Sequence, residues 1–224
     1  DDAAWHHYLV TLKGTTLTTY IDGYFRDVRT VTLAPSSGDK QTIGARIRPN
    51  YQNYSQGETD QVRIFNTALT PLEVEALYIE ESCLCGGTVD TLDILEDSSC
   101  IALYPLDGNA NDLSGNYSGT ATAVSYGVGE FDLAGVFNGT SSFINIDALN
   151  LPTNNFTVST WVKTNSVASE YNMILSTFKN GQGQMYFTFE YNRLLYLDLY
   201  SSGGTPLYSP VGSILNNTWY HCLV

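Results

Sequence analysis

An all-β sandwich with one short helix is what this sequence predicts, on three observations. Short runs rich in Val, Thr, Tyr, Leu and Phe recur along the chain, the residue types that pack well on a pleated sheet. Turn signals separate the runs: Asp22-Gly23, Asn180-Gly181 and Tyr191-Asn192-Arg193, with Asp-Gly placed where a tight hairpin needs positive φ. Only the segment opening at Thr70 combines a helix start signal with apolar residues at helical spacing.

Taken in order, residues 5–13 and 16–21 read as two strands, the second ending at the Asp22-Gly23 turn. Residues 27–33 and 41–47 are further strands, and Pro49 to Glu58 is polar and loop-like. Asp60 to Asn66 alternates as a half-buried strand should. Thr70-Pro71-Leu72-Glu73 is a capping box with proline at the first helical position, and the helix is expected to end near Glu81. Strands are then expected near 100–105, 119–126, 134–138, 142–147, 155–164, 171–178, 184–191, 193–200 and 218–224.

The bulk numbers narrow the partners. The formal charge is −13, from 10 basic against 23 acidic side chains, so a nucleic acid, which demands a basic face, is not an expected partner. No apolar run is long enough to span a bilayer, so membrane insertion is not expected either.

The chain is organised around a repeated strand. Trp5-His6-His7-Tyr8-Leu9-Val10 returns as Trp219-Tyr220-His221-Cys222-Leu223-Val224. Between the copies, residues 82–99 change character: Ser82-Cys83-Leu84-Cys85-Gly86-Gly87 leads into a mostly acidic, polar run, the composition of a linker between modules. The division is 1–81, linker 82–99, and 100–224.

These residues carry a family likeness. Trp5-His6-His7, Gly14 to Gly23, Asp60 to Asn66, Ala68-Leu69-Thr70 and the helix resemble the second half of laminin-G-like, concanavalin-A-type jelly rolls. Ala102-Leu103-Tyr104-Pro105-Leu106-Asp107-Gly108-Asn109, Gly135 to Ser142 and Phe156 to Val162 resemble the first half. The resemblance implies a jelly-roll sandwich with its halves in permuted order: 1–81 as the second half of one repeat, 100–224 as the first half of the next. Closure of the halves within one chain sets both Trp strands against one slot. The expectation is therefore a window through a tandem array, each half completed by a neighbouring repeat or chain.

The fold hosts lectins, adhesion modules and hydrolases, so function rests on sites. Glu130-Phe131-Asp132 is similar to the carboxylate strand of glucanases of this fold, which need two acids on one face. The further acid expected three residues after Asp132 is Gly135, and the segment reads as a solvent-facing turn. His6 and His7 point to opposite sheet faces and cannot easily share a metal, so His7 and its counterpart His221 read as packed structural histidines. No catalytic residue is assigned. Asp107, Asn109, Asn111 and Asp112 offer oxygen ligands that suit calcium, and jelly rolls of this kind often carry a structural calcium in a loop. As an EF-hand the stretch fails, with Asp112 sixth and Ser118 twelfth; the alternative is a turn whose Asn and Asp side chains bond the local backbone. Cys83 or Cys85 bridged to Cys100 would staple the linker to the opening strand, which fits an extracellular or virion-surface setting. Cys222 stands where the first copy has Tyr8 and reads as a buried thiol. Asn53, Asn116, Asn138, Asn155 and Asn216 begin N-x-Ser/Thr sequons.

The sequence thus points to a non-catalytic structural or adhesion module of a tandem-repeat fibre or filament, outside the cell or on a virion, with neighbouring copies as partners. The alternative is a calcium-dependent carbohydrate-binding module that takes glycans; a glycoside hydrolase stands third.

Overall fold

The computed structural model describes residues 5–30, 40–48, 50–82, 92–93, 95–147, 149, 151, 154–164, 172–178, 184–190, 193–200 and 207–208. In chain order the first part forms β1 (His6–Lys13), β2 (Thr16–Ile21), β3 (Tyr24–Thr30), β4 (Lys40–Ile43), β5 (Arg46–Arg48), β6 (Asn50–Gln52), β7 (Gln56–Phe65) and α1 (Pro71–Ser82). The second part forms β8 (Cys100–Tyr104), β9 (Thr120–Thr122), β10 (Ser125–Val128), β11 (Leu133–Asn138), β12 (Phe143–Asp147), β13 (Asn155–Thr164), β14 (Asn172–Phe178), β15 (Gln184–Glu190), β16 (Arg193–Tyr200) and β17 (Leu207–Tyr208).

Two sheets form the sandwich. The first runs β10-β11-β7-β13-β1-β2-β3, with β8 also on β7; the second runs β17-β16-β15-β14-β4-β12-β9. One core lies between them, with Tyr8, Val10, Leu12, Val62, Ile64, Phe156 and Val158 from the first sheet meeting Ile43, Ile144, Ile146, Leu175 and Phe187 from the second. A separate hairpin, β5 with β6, belongs to neither sheet. It packs on the outer side of the second sheet, where Tyr51 stacks on Phe143 at 3.9 Å and Ile47 N–H donates to Ser176 Oγ at 3.2 Å.

The halves close on each other within one chain. β1 pairs antiparallel with β13, from His6 opposite Val162 to Lys13 opposite Asn155. β7 pairs with β13, β8 and β11, and β4 lies between β12 and β14. Every one of these ladders joins residues before the linker to residues after it. This corrects the expectation that a neighbouring repeat or chain must complete each half. The conflict over one slot is resolved by β1 taking it, between β13 and β2; the second copy, 219–224, lies outside the described residues.

Local chemistry explains the elements. Asp22 and Gly23 take φ of 51° and 78°, the two-residue turn that matches strand twist. At the helix start Thr70 N–H donates to Glu73 Oε2 at 2.6 Å and Glu73 N–H to Thr70 Oγ1 at 3.4 Å, the reciprocal capping box. The single strand expected over 41–47 is broken at Gly44, whose φ is 83°; a Cβ there would sit 2.1 Å from the Phe137 ring, so only glycine fits. The strand expected over 119–126 splits into β9 and β10, which join different sheets, with Ala123 at φ 50° turning the corner. β3 begins at Tyr24 rather than at 27, and β7 begins at Gln56, inside the expected loop. The strand expected over 218–224 and the turns at Asn180-Gly181 and Tyr191-Asn192 lie outside the described residues, although the β14–β15 and β15–β16 ladders on either side of those turns are antiparallel.

Candidate functional site

The candidate site lies on the outer face of the first sheet, beneath α1. Side chains alternate along a strand, so the residues of β1, β13 and β7 that do not face the sandwich core face outward. Here that face is covered: Val74 and Leu77 of α1 and the preceding Leu69 are buried with it, and Leu69 N–H donates to Thr157 Oγ1 at 3.0 Å. The covered face holds polar groups. His7, Asp60, Arg63 and Ser159 are each fully buried, and Trp161 nearly so.

His7 is positioned by β1, directly opposite Trp161 of β13. Its Nε2 is hydrogen-bonded to Ser159 Oγ. Its ring stacks on Tyr78 of α1 at 6.0 Å and tilts against Trp161 at 5.4 Å. Burial, and then the positive charge of Arg63, hold the imidazole well below its ordinary pKa, so it stays neutral at physiological pH. This is the packed histidine expected from the sequence.

Asp60 is positioned by an irregularity. Between Ser159 and Trp161 the β7–β13 register shifts, and Gln61 sits in the left-handed region at φ 48°, a β-bulge that re-aims its neighbours. Asp60 Oδ2 accepts from Phe131 N–H at 2.9 Å, and Oδ1 is buried with no hydrogen-bond partner among the described residues. Burial raises the Asp60 pKa well above the carboxylate range, and the charge of Asp107 adds to this against the backbone amides of Phe131, Gln61 and Glu130. Phe131 in turn meets Trp161 edge-on at 5.8 Å. The loop after β10 is thereby fastened over the sheet.

The loop with the calcium candidates is organised by its own backbone. Asp112 is buried; its Oδ1 accepts from the N–H groups of Leu103 at 2.9 Å and Ser114 at 3.1 Å, and Oδ2 from Tyr117 N–H at 3.1 Å and from Ser114 Oγ. Asp107 Oδ1 accepts from Leu133 N–H at 2.7 Å, on a different element. Asn109 Oδ1 accepts from Asn111 N–H at 2.8 Å. The side chains of Asp107, Asn109 and Asp112 accept from separate backbone N–H groups, and Asn111 is exposed. Among the described residues no group of three or more His, Cys, Asp or Glu is arranged to hold a metal ion.

Glu130 and Asp132 lie on the turn between β10 and β11, both exposed. Among the described residues Cys100 is a free, buried thiol; the expected bridge to Cys83 or Cys85 falls on residues outside the described ones. Its Sγ lies 3.5 Å from Ala102 O, and burial pushes its pKa up to about 12, so almost no thiolate forms. Cys83, Cys85 and Cys222 lie outside the described residues. Of the sequon asparagines, Asn116, Asn138 and Asn155 are exposed and Asn53 is half-buried. Asn138 Oδ1 accepts from the N–H groups of Thr140 and Ser141, each at 2.9 Å, and so shapes its own turn. Asn216 lies outside the described residues.

Sequence reasoning missed Asp60, Arg63 and Ser159 as buried groups. A signal existed: a helix presenting Val74, Leu77 and Tyr78, with Leu69 just before it, must cover something, and β1, β7 and β13 are central strands of the first sheet.

The family description "Concanavalin A-like lectin/glucanases superfamily", of laminin-G type, matches residues 1–75 and 138–224. A search of curated proteins finds no match to the chain. The matched segments cover most of the chain and supply strands to both sheets. On this match, and on the two-layer all-β architecture, the chain belongs to the concanavalin A-like lectin/glucanase superfamily.

Proposed function

We propose that this chain is a non-catalytic structural and adhesive module from a tandem-repeat protein outside the cell or on a virion surface, with neighbouring repeats as its partners. The observation that carries the reading is one slot for two strands. β1 fills the place between β13 and β2 with His7, Tyr8, Leu9 and Val10 all buried. The sequence supplies that strand again at 219–224, keeping Trp, His, Leu and Val in step. A second copy of a strand built for this slot calls for a second sandwich. The inward use of His7, Asp60 and Asp112 to hold rings and loops supports a scaffold over a catalyst.

The test is a fused chain in which Val224 is followed directly by a second copy beginning at Thr11, which continues the repeat in phase. Hydrogen exchange is followed across both copies. The amides of 219–224 are expected to be as protected as those of 5–10, because both now lie in complete sandwiches. Fast exchange across 219–224 in the fused chain overturns the tandem reading.

A further inference from the structure

The edge of the first sheet carries a surface that matches itself. β3 ends that sheet, and its far side pairs with no described strand. Unpaired edges attract other strands unless they are blocked. Tyr24, Phe25 and Val28 are 71%, 58% and 50% exposed, a concentration of large apolar side chains on one short strand. Arg26 and Arg29 lie among them, two of the 10 basic residues of a chain with net charge −13. The strand is thus apolar and basic on a molecule that is otherwise acidic.

We propose that two copies of the chain pair antiparallel along β3, about a two-fold axis between Arg26 and Asp27. The inference rests on the reading that neighbouring copies are the partners, and it names the surface. In this register Tyr24 lies opposite Arg29 of the second copy, Phe25 opposite Val28, and Arg26 opposite Asp27. The faces agree. Phe25 and Val28 lie opposite Tyr20 and Thr18 of β2, whereas Tyr24, Asp27 and Arg29 lie opposite Ile21, Thr19 and Leu17. Opposed residues in an antiparallel pair share a face. Apolar side chains therefore meet on one side, while Arg29 meets the Tyr24 ring on the other. The two-fold repeats each couple, as an isologous contact requires.

The edge is also guarded. A register shift between Thr19 and Tyr20 leaves Arg26 as an extra residue. Asp27 Oδ1 accepts from Val28 N–H at 2.9 Å, and Oδ2 pairs with Arg29 Nε at 2.6 Å. Pairing moves Asp27 from these local partners to Arg26 of the other copy. The contact is small, so self-association is expected at protein concentrations on the order of 0.1–1 mM, below the strength of a standard interface of about 800 Å² per partner.

The experiment is sedimentation and light scattering of the full chain up to millimolar concentration, with three exposed-site variants whose folding is checked by thermal melting. Wild type is expected to dimerise. Phe25→Asp is expected to weaken dimerisation at least tenfold. Arg26→Asp sets acid against acid at the axis, and Asp27→Arg sets base against base, so each alone is expected to be monomeric. Mixed in equal amounts they restore both ion pairs, and a heterodimer is expected. A monomeric wild type at every concentration overturns the proposal. So does an oligomer that survives Arg26→Asp, or a mixture no more associated than its parts. None of these results touches hydrogen exchange of 219–224 in the fused chain, so the tandem reading stands or falls separately.

Discussion

Cutting the chain between residues 83 and 91 should leave a working sandwich. The structure places the first part on both sheets, with β1, β2, β3 and β7 in one and β4 in the other. β7 sits between β11 and β13 of the second part, and β4 between β14 and β12, so neither part holds either sheet whole. A domain of ordinary stability unfolds with about 8 kcal/mol, within the usual 5–15. A linker of this length holds the parts at an effective concentration on the order of 1 mM. Removing it costs about 4 kcal/mol. The severed parts should therefore bind each other with a dissociation constant on the order of 1 nM, rising to about 0.2 µM if the intact stability is only about 5 kcal/mol. The assay is an engineered protease site within 83–91, followed by gel filtration at micromolar concentration and denaturing electrophoresis. Co-elution of two fragments at the intact volume, with unchanged far-ultraviolet circular dichroism, is the expected result. Separate elution, or one fragment keeping its sheet alone, refutes the reasoning.

Asp60→Asn is expected to raise the melting temperature at pH 7–8. The folded-state pKa of Asp60 is raised, so its stabilising contribution is complete below the unfolded value near 4 and is lost as pH rises through the folded value; the gap between variant and wild type should close on acidification, and an Asn variant that is less stable at pH 8 contradicts this. Cys100 should resist alkylation at pH 8 in the folded chain and react once unfolded, read by mass spectrometry of the Cys100 peptide. Asp112→Ala strands several backbone donors and should cost about 3–5 kcal/mol, a melting decrease of about 6–20 °C for a chain of this size. A chelator should leave the wild-type melting curve in place; a shift of several degrees with recovery on added calcium would show a metal site after all.

Much of the fold was legible because two periodicities are written plainly. β1, β2, β13 and β14 follow from β-branched and aromatic runs, and α1 follows from Thr70, Pro71 and Glu73. What was not legible depends on distant partners. Residues 46–52 read as strand end and loop, because a small hairpin lying on a sheet has no pattern of its own. Residues 119–126 read as one strand, since the φ of Ala123 that sends β9 and β10 to different sheets leaves no mark in composition. Completion by a neighbour was the wrong expectation for this chain because the fold tolerates either order of its halves; the ladders of β7 and β13 do not depend on which half comes first. In the candidate site, Arg63 reads as the solvent side of an alternating strand, whereas Asp60, three residues earlier, has the parity of Val62 and Ile64 and reaches Arg63's side only through the bulge at Gln61. They are buried because α1 and the Phe131 loop cover that side, and strand periodicity does not report what covers a face.

The place of β1 also sets how the module bears tension. The strand is hydrogen-bonded to β13 along all of His6–Lys13 and to β2 from Tyr8 onward. Those bonds lie across the strand direction. A pull on Trp5 along the strand therefore loads them together in shear, whereas a pull at right angles peels them one pair at a time. A sandwich strung through this strand would hold its length under load until the whole ladder slips at once.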